Sequence, residues 1–529
     1  MTTTVSPGQV PLTVTAEMAH TLAVHERVCV RPVLRTVTDR ATEDSTRVAI
    51  ACGSTRDSKC PPCAHKARVL RMHQCAEGWH LTEEPTDNPH LVAEDDQAED
   101  LDSIDDDQAE DDQDEDEASR RVRSTRRRQD AIDLPKVPTE NRTIGQAFES
   151  GTGKTYRPSM FVTLTLPSYG KVIPGVGAPE SPGTYDYRRA ALDALHFPKL
   201  VDRWVQNLRR CAGYQVQYFS AIEAQRRLAP HLHAAIRGAI PRATIKAVTK
   251  ATYAQLWWPP FGQAVYVDRL PVWDRDSNCY RDADTGRALT TWEQALDDLD
   301  TDPDATPAHV MRFGQQVDIQ GILGGTPDAD RAVRYLTKYL TKAVADTHTD
   351  PLTGQPDPRM TAHVNRLHQE VRWLPCTPEC ANWLRYGIQP RDPGPGLTPG
   401  NCVGKAHEKE NLGLGGRRVL ASRKWSGKTL TEHRADRAAV VRQALEAAGM
   451  DAPEVDRCST DVLHTDGRPR YVWEQVPVTA ADYVDVLTAS ILERRRWRHQ
   501  YEMAKAALGT GPPGPVDNCS ATPTVAPAA

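Results

Sequence analysis

Between Glu94 and Glu117, sixteen of the twenty-four residues are Asp or Glu and none is Lys or Arg. So dense a run of like charge, with so few apolar side chains, cannot collapse onto itself. It is expected to stay unfolded and to divide the chain. The hexapeptide DDQAED occurs in it twice, at Asp95–Asp100 and Asp106–Asp111. An arginine-rich stretch follows (SRRVRSTRRR, Ser119–Arg128), able either to touch a polyanion or to fold back onto the acidic run. The tract also distorts the overall charge. The formal net charge is −6, yet the remaining residues hold 55 acidic against 65 basic side chains. A basic body with a detachable acidic segment fits a partner carrying many phosphates.

A chain of 529 residues is expected to hold two or three folded units. The composition shifts suggest an N-terminal segment 1–92 with a cysteine cluster and an unfolded linker 93–130. A folded domain 131–345 and a basic, Cys/His-containing region 346–440 follow, then a helical region 441–508 and an unstructured tail 509–529. No stretch reaches the roughly 18 unbroken apolar residues that a membrane helix needs. The opening MTTTVSPGQV lacks the basic patch and apolar run of a secretory signal. A soluble, cytoplasmic protein is expected. Its twelve cysteines then read as metal ligands and free thiols, not as a disulfide framework.

Regular structure is expected to resume near Ser159. Met160–Leu166 (MFVTLTL), closed by Pro167 and Gly170, reads as a buried strand. Apolar residues at helical spacing (Leu192, Leu195, Leu200, Trp204, Leu208) predict an amphipathic helix over Tyr187–Arg210. Tyr218–Gln225 and His231–Gly238 read as adjacent strands, Arg242–Leu256 as a helix, Gln315–Ile322 as a strand and Asp330–Ala345 as a helix. Strands interrupted by helices, without a dinucleotide-type glycine motif, predict an α+β domain on a central antiparallel sheet.

Two short motifs carry the chemistry. His231 and His233 flank one leucine on a predicted strand, so both imidazoles project from one face and can converge on a divalent ion. Such a pair arises readily by chance in a chain with 17 histidines. In RYLTKYLTKA, Tyr335 and Tyr339 are four apart, as are Lys338 and Lys342, and on a helix each pair shares a face. The bland reading is an aromatic stripe packed on the sheet with its lysines solvated. The unit Tyr-Leu-Thr-Lys nevertheless occurs twice in tandem, in a chain holding 50 Arg and 15 Lys.

The order TLTLP, then HLH, then the doubled Tyr-x-x-Lys resembles the three motifs of the HUH endonucleases, in which U is a hydrophobic residue. Tyrosines placed after the histidines resemble the replication initiators of that superfamily, not its relaxases. FVTLTLPSYG, PHLHAAIRG, CANWLRYGIQP and GRRVLASRKWSGKTL resemble the Streptomyces-type plasmid and integrative-element initiators, the RepSA-like family. The resemblance runs from about Cys52 to Ala435, with the acidic tract as an insertion. It implies a ferredoxin/RRM-like HUH palm and a site-specific nickase that starts rolling-circle replication at a double-strand origin. It also implies Mg²⁺ or Mn²⁺ as cofactor. A metal held by His231 and His233 would neutralise a phosphate oxygen. Tyr335 or Tyr339 would attack, giving a 5′-phosphotyrosine and a 3′-hydroxyl primer. Tyr339 is the preferred nucleophile on its register with Leu336 and Lys342. Lys338 and Lys342 would neutralise phosphate nearby. Glu223, eight residues before His231, is the preferred third ligand, with Gln225 as its rival and pairing to Arg226 or Arg227 as its bland alternative.

Cys52, Cys60, Cys63 and Cys75 form a candidate zinc site, with His65, His73 and His80 as substitute ligands. Cys376, Cys380, Cys402 and His407 form a second. Arg417, Arg418, Arg423, Lys424 and Lys428 are candidate DNA contacts. GTGKT (Gly151–Thr155) is not a P-loop, because Phe148 stands where the pattern needs glycine. With no motor legible, unwinding would fall to a host helicase and synthesis to a host polymerase, acting on origin and single-stranded DNA. A zinc-stabilised DNA-binding regulator without catalysis, and a transposase of the same chemistry, are the alternative readings.

Overall fold

The computed structural model describes residues 14–79, 81, 83–86, 88, 134–149, 151, 155–323, 326–338, 340, 341, 357–415, 418–447 and 462–507. The acidic tract, the arginine-rich stretch and the tail from Gly509 lie outside the described residues. The structure is mixed α/β with antiparallel sheets. It divides into two compact units: Met1–Leu70 with Leu430–Ala529, and Arg71–Thr429. Among the described residues, no helix is long and apolar enough to cross a membrane.

The larger unit is built on a five-stranded sheet in the order Val317–Leu323, Pro158–Thr165, Pro230–Ile236, Tyr218–Ala224, Val419–Ala421, antiparallel throughout. The strand carrying His231 and His233 is thus the middle one. Alternation gives each strand two faces. Val162, Leu164, Leu232, Ala234 and Ile236 are fully buried in the main core with the helix Tyr187–Ala212. That helix is capped by the Asp186 carboxylate, which accepts from the Arg189 amide, and ends at Gly213 in the left-handed conformation that glycine tolerates. It sinks Phe197, Leu200, Trp204 and Leu208 into the core, each worth about 1.5–3 kcal/mol on burial.

The opposite face of the same strands presents Phe161, Phe219, Ala221 and Ala235. They pack with Ala329, Ala332, Val333 and Leu336 of the helix Pro327–Thr337 and with Trp79 and Trp425. The smaller unit holds a three-stranded antiparallel sheet, Tyr471–Val476, Val33–Asp39, Ser45–Ile50, so it joins strands from both ends of the chain. The helices Ala16–His25 and Ala480–Ala507 share its core.

Several expectations are corrected. The helix expected over Arg242–Leu256 stops at Ala251. Thr252 is extended, and the β-prone Tyr253–Leu256 pairs with His309–Arg312. The helix expected over Asp330–Ala345 starts at Pro327, behind its N-cap Thr326, and ends at Thr337. The boundary drawn at 345/346 falls inside one unit, because Val419–Ala421 completes the sheet and Tyr187 hydrogen-bonds His363 of the helix Pro358–Trp373 at 2.9 Å. The segment 1–92 is divided between the units at Leu70, and the region 441–508 contributes a strand as well as helix.

Candidate active site

Strand register assembles the site. Glu223 stands opposite His231, while Ala221 and Thr163 flank His233 from either side. All point to the face shared with the helix Pro327–Thr337. One carboxylate oxygen of Glu223 lies 3.9 Å from Nε2 of His231 and 3.6 Å from Nε2 of His233. The three ligand atoms lie within 4.8 Å of one another. Nδ1 of His231 donates to the main-chain carbonyl of Glu223 at 3.0 Å, which leaves the Nε2 lone pair facing the site. Nδ1 of His233 meets the Thr163 hydroxyl at 2.9 Å, and with the ring as donor its Nε2 is likewise free to ligate. The other Glu223 oxygen, Oε1, is buried without a hydrogen-bond partner among the described residues.

Burial dominates the electrostatics. It raises the Glu223 carboxyl to about 8, against the opposing pull of the Arg418 and Lys338 charges. Burial likewise lowers His231 to about 4, and lowers His233 to about 3 with help from its neighbour His231. Burial thus favours the neutral form of all three groups, which makes the close approaches of Glu223 to the imidazoles weak as ion pairs. A hydrogen-bond-fixed imidazole pair with an unsatisfied carboxyl oxygen is a donor set that fits a divalent cation such as Mn²⁺ or Mg²⁺.

Tyr335 completes the cluster. Its phenol oxygen lies 3.5 Å from Nε2 of His233, its ring meets that imidazole edge-on at 4.9 Å, and the side chain is 42% exposed. Phe161 stacks on His233 at 5.9 Å and meets Tyr335 edge-on at 6.1 Å, so one apolar ring positions both. Lys338 caps the end of the tyrosine helix and acts on Glu223 through its charge. Tyr339, Lys342, Arg417 and His80 lie outside the described residues. Gln225 is not in the cluster. It sits in the turn beyond the strand, where its side chain accepts from Arg227 at 2.8 Å. Arg226 and Arg227 donate to main-chain carbonyls and leave Glu223 to the histidines.

Sequence reasoning passed over Thr163 and Phe161, and gave Arg418 a different role. The two former were legible in principle, because period two puts residues 161, 163 and 165 on the histidine face. Arg418 was read as a DNA contact but is buried beside the carboxyl, and Lys428 pairs with Glu77 at 2.6 Å. Lys424 is half-buried, Trp425 between them is fully buried, and Arg423 is exposed. This segment forms a sheet edge and a core anchor as well as carrying these basic side chains.

Cys376, Cys380, Cys402 and His407 are brought together with ligand atoms within 4.8 Å of one another. Nδ1 of His407 donates to the Val371 carbonyl at 2.8 Å, and its Nε2 faces Cys380 Sγ at 3.5 Å. These four suit a tetrahedral zinc site. The other expected set is corrected. Cys75 is fully buried in the core with Trp79 and Phe219, its thiol pushed up by burial, and the cluster with Cys52, Cys60 and Cys63 is completed by Cys29. His65 instead contacts Arg27 at 3.4 Å.

Residues 15–485 match the model of the family described as RepSA, replication initiator protein, pSAM2. A curated replication initiator protein of Streptomyces ambofaciens is 28% identical over 272 aligned residues, covering 43% of this chain and 52% of that protein. The chain thus spans about half the length of that relative. No solved structure matches it.

Proposed function

The chain belongs to the RepSA family of replication initiators, and on that footing we propose that it nicks one strand of its replication origin by tyrosine transesterification. The five-stranded sheet is read as an HUH palm. Glu223, His231 and His233 would hold Mg²⁺ or Mn²⁺, which when bound supplies positive charge to a non-bridging phosphate oxygen. The observation that carries the reading is Tyr335, a residue 42% exposed whose phenol oxygen reaches 3.5 Å from a histidine of that trio.

In the proposed step, Tyr335 Oη attacks phosphorus and the P–O3′ bond breaks. The tyrosine loses its proton, and the leaving 3′-oxygen takes one up to become a primer hydroxyl. The 5′ end stays on the tyrosine as a phosphodiester, so the same residues can run the exchange backwards and rejoin the strand. Lys338, at the end of the tyrosine helix, offers a cation to the phosphate. Tyr339, preferred on its register but outside the described residues, would then serve as the second nucleophile for the regenerated origin. Origin DNA, single-stranded DNA, and a host helicase and polymerase are the partners this reading requires. Zinc at Cys376, Cys380, Cys402 and His407 would be structural.

The test is a nicking assay on supercoiled plasmid carrying the DNA beside the gene, with Mg²⁺ or Mn²⁺. Nicked circles with covalently attached protein are expected, and the double variant Tyr335→Phe, Tyr339→Phe should yield none. Undiminished nicking by the double variant would sink the mechanism. Binding without any nicking by the unaltered chain would favour a non-catalytic regulator.

A further inference from the structure

We infer that Cys29, Cys52, Cys60 and Cys63 form a closed four-thiolate site for one zinc ion. The backbone brings the four together from two directions. Cys29 and Cys52 flank the hairpin Val33–Asp39/Ser45–Ile50, whose register pairs Val33 with Ile50 and so draws the two flanks side by side. Cys60 immediately precedes the helix Pro61–Trp79, and Cys63 lies in its first turn, which holds no acidic residue. The positive end of that helix favours thiolates over thiols.

The spacing selects the occupant. The four sulfurs lie within 4.8 Å of one another, and those of Cys29 and Cys60 are 3.8 Å apart. A disulfide needs about 2.05 Å. Four sulfurs at about 2.3 Å from a tetrahedral zinc are separated by about 3.8 Å, whereas a multi-iron cluster would force them further apart. The Cys52 amide donates to Cys29 Sγ at 3.2 Å, which offsets thiolate charge. Cys29, Cys60 and Cys63 are buried among Ala19, Ala23, Leu487 and Ile491, and Tyr483 donates to the carbonyl of Val30 at 3.0 Å. Four protein ligands leave no open position, so the ion is structural. It fastens the hairpin, the helix Ala16–His25 and the C-terminal helix Ala480–Ala507 into one core.

The experiment loads the full chain with cadmium-113 and reads its NMR spectrum, alongside zinc content by mass spectrometry. A resonance in the tetrathiolate range is expected from the unaltered chain. Cys29→His should keep the metal but move that resonance to the range of mixed sulfur and nitrogen ligands. Cys29→Ser should lose one equivalent of zinc, and Cys75→Ala none. Absence of a tetrathiolate resonance in the unaltered chain overturns the assignment whatever the variants do. So does a resonance that responds to Cys75→Ala and ignores Cys29→His.

Discussion

Glu223 and His231 face each other on paired strands and meet twice. The ring Nδ1 donates to the glutamate's main-chain carbonyl at 3.0 Å, and Nε2 lies 3.9 Å from the same residue's carboxylate. The first contact holds the tautomer that the second requires. His233 has the equivalent support from a side chain, the Thr163 hydroxyl.

Thr163→Val removes that support and nothing else from the site. Metal affinity is expected to fall about 10–100-fold, with nicking at saturating Mn²⁺ little changed. A Mn²⁺ titration of the nicking rate checks this, and an unchanged half-saturation point would show that Thr163 does not orient the ligand.

The folded, metal-free chain holds a proton on Glu223 up to about pH 8, whereas the unfolded chain releases it near 4.5. This contribution to stability is complete below 4.5 and is lost as pH rises through about 8. A bound cation displaces the proton and cancels the loss. Apparent Mn²⁺ affinity should therefore climb about tenfold per pH unit until the carboxyl's own titration is complete, then level off. His231 and His233, lowered to about 4 and about 3, stay neutral over that range. Calorimetric titration across pH measures the slope, and a flat profile would remove Glu223 from the ligand set.

Of the single tyrosine variants, Tyr335→Phe is expected to lower formation of the covalent adduct by at least about 10³-fold. Tyr339→Phe should leave first-strand nicking intact and impair the second transfer. Mapping the DNA-linked peptide by mass spectrometry decides it. A first adduct found on Tyr339 would reverse the assignment.

Trp425 is fully buried against Phe219, and its backbone carbonyl accepts from Arg237. A Cβ on Gly78 would collide with the Trp425 ring. Trp425→Ala should cost about 3–5 kcal/mol of stability, and Gly78→Ala should also destabilise through overpacking. Denaturant unfolding measures both. A Trp425→Ala chain of normal stability that binds DNA poorly would restore this segment to the DNA interface.

Cys380→Ser is expected to release one zinc per chain and to lower the melting temperature, leaving Cys29, Cys52, Cys60 and Cys63 loaded. Zinc content with thermal unfolding checks it, and unchanged zinc would mean these four residues do not bind the metal.

That Glu223, His231 and His233 would gather on one face of paired strands was legible because a period of two is a strong local signal, and all three obey it. Cys29 was hidden because its proximity to Cys60 depends on a hairpin whose short second strand, Ser45–Ile50, is exposed and holds only Val48 and Ile50 as large apolar residues. The burial of Arg418 was not legible because the sheet-edge strand after it, Val419–Ala421, is three residues long, too short to stand out from a basic loop. The ends of the tyrosine helix were misplaced since Thr326 and Pro327 set its start, and a Tyr-x-x-Lys repeat says nothing of where a helix stops.

The two faces of the five-stranded sheet carry different side chains for different tasks. Leu232, Ala234 and Ile236 pack toward the long helix, while His231 and His233, on the same strand, face the tyrosine. Changes at alternate positions can therefore alter the cluster of Glu223, His231, His233 and Tyr335 while the long-helix core keeps its packing. Single steps on the histidine face would then each leave the chain folded.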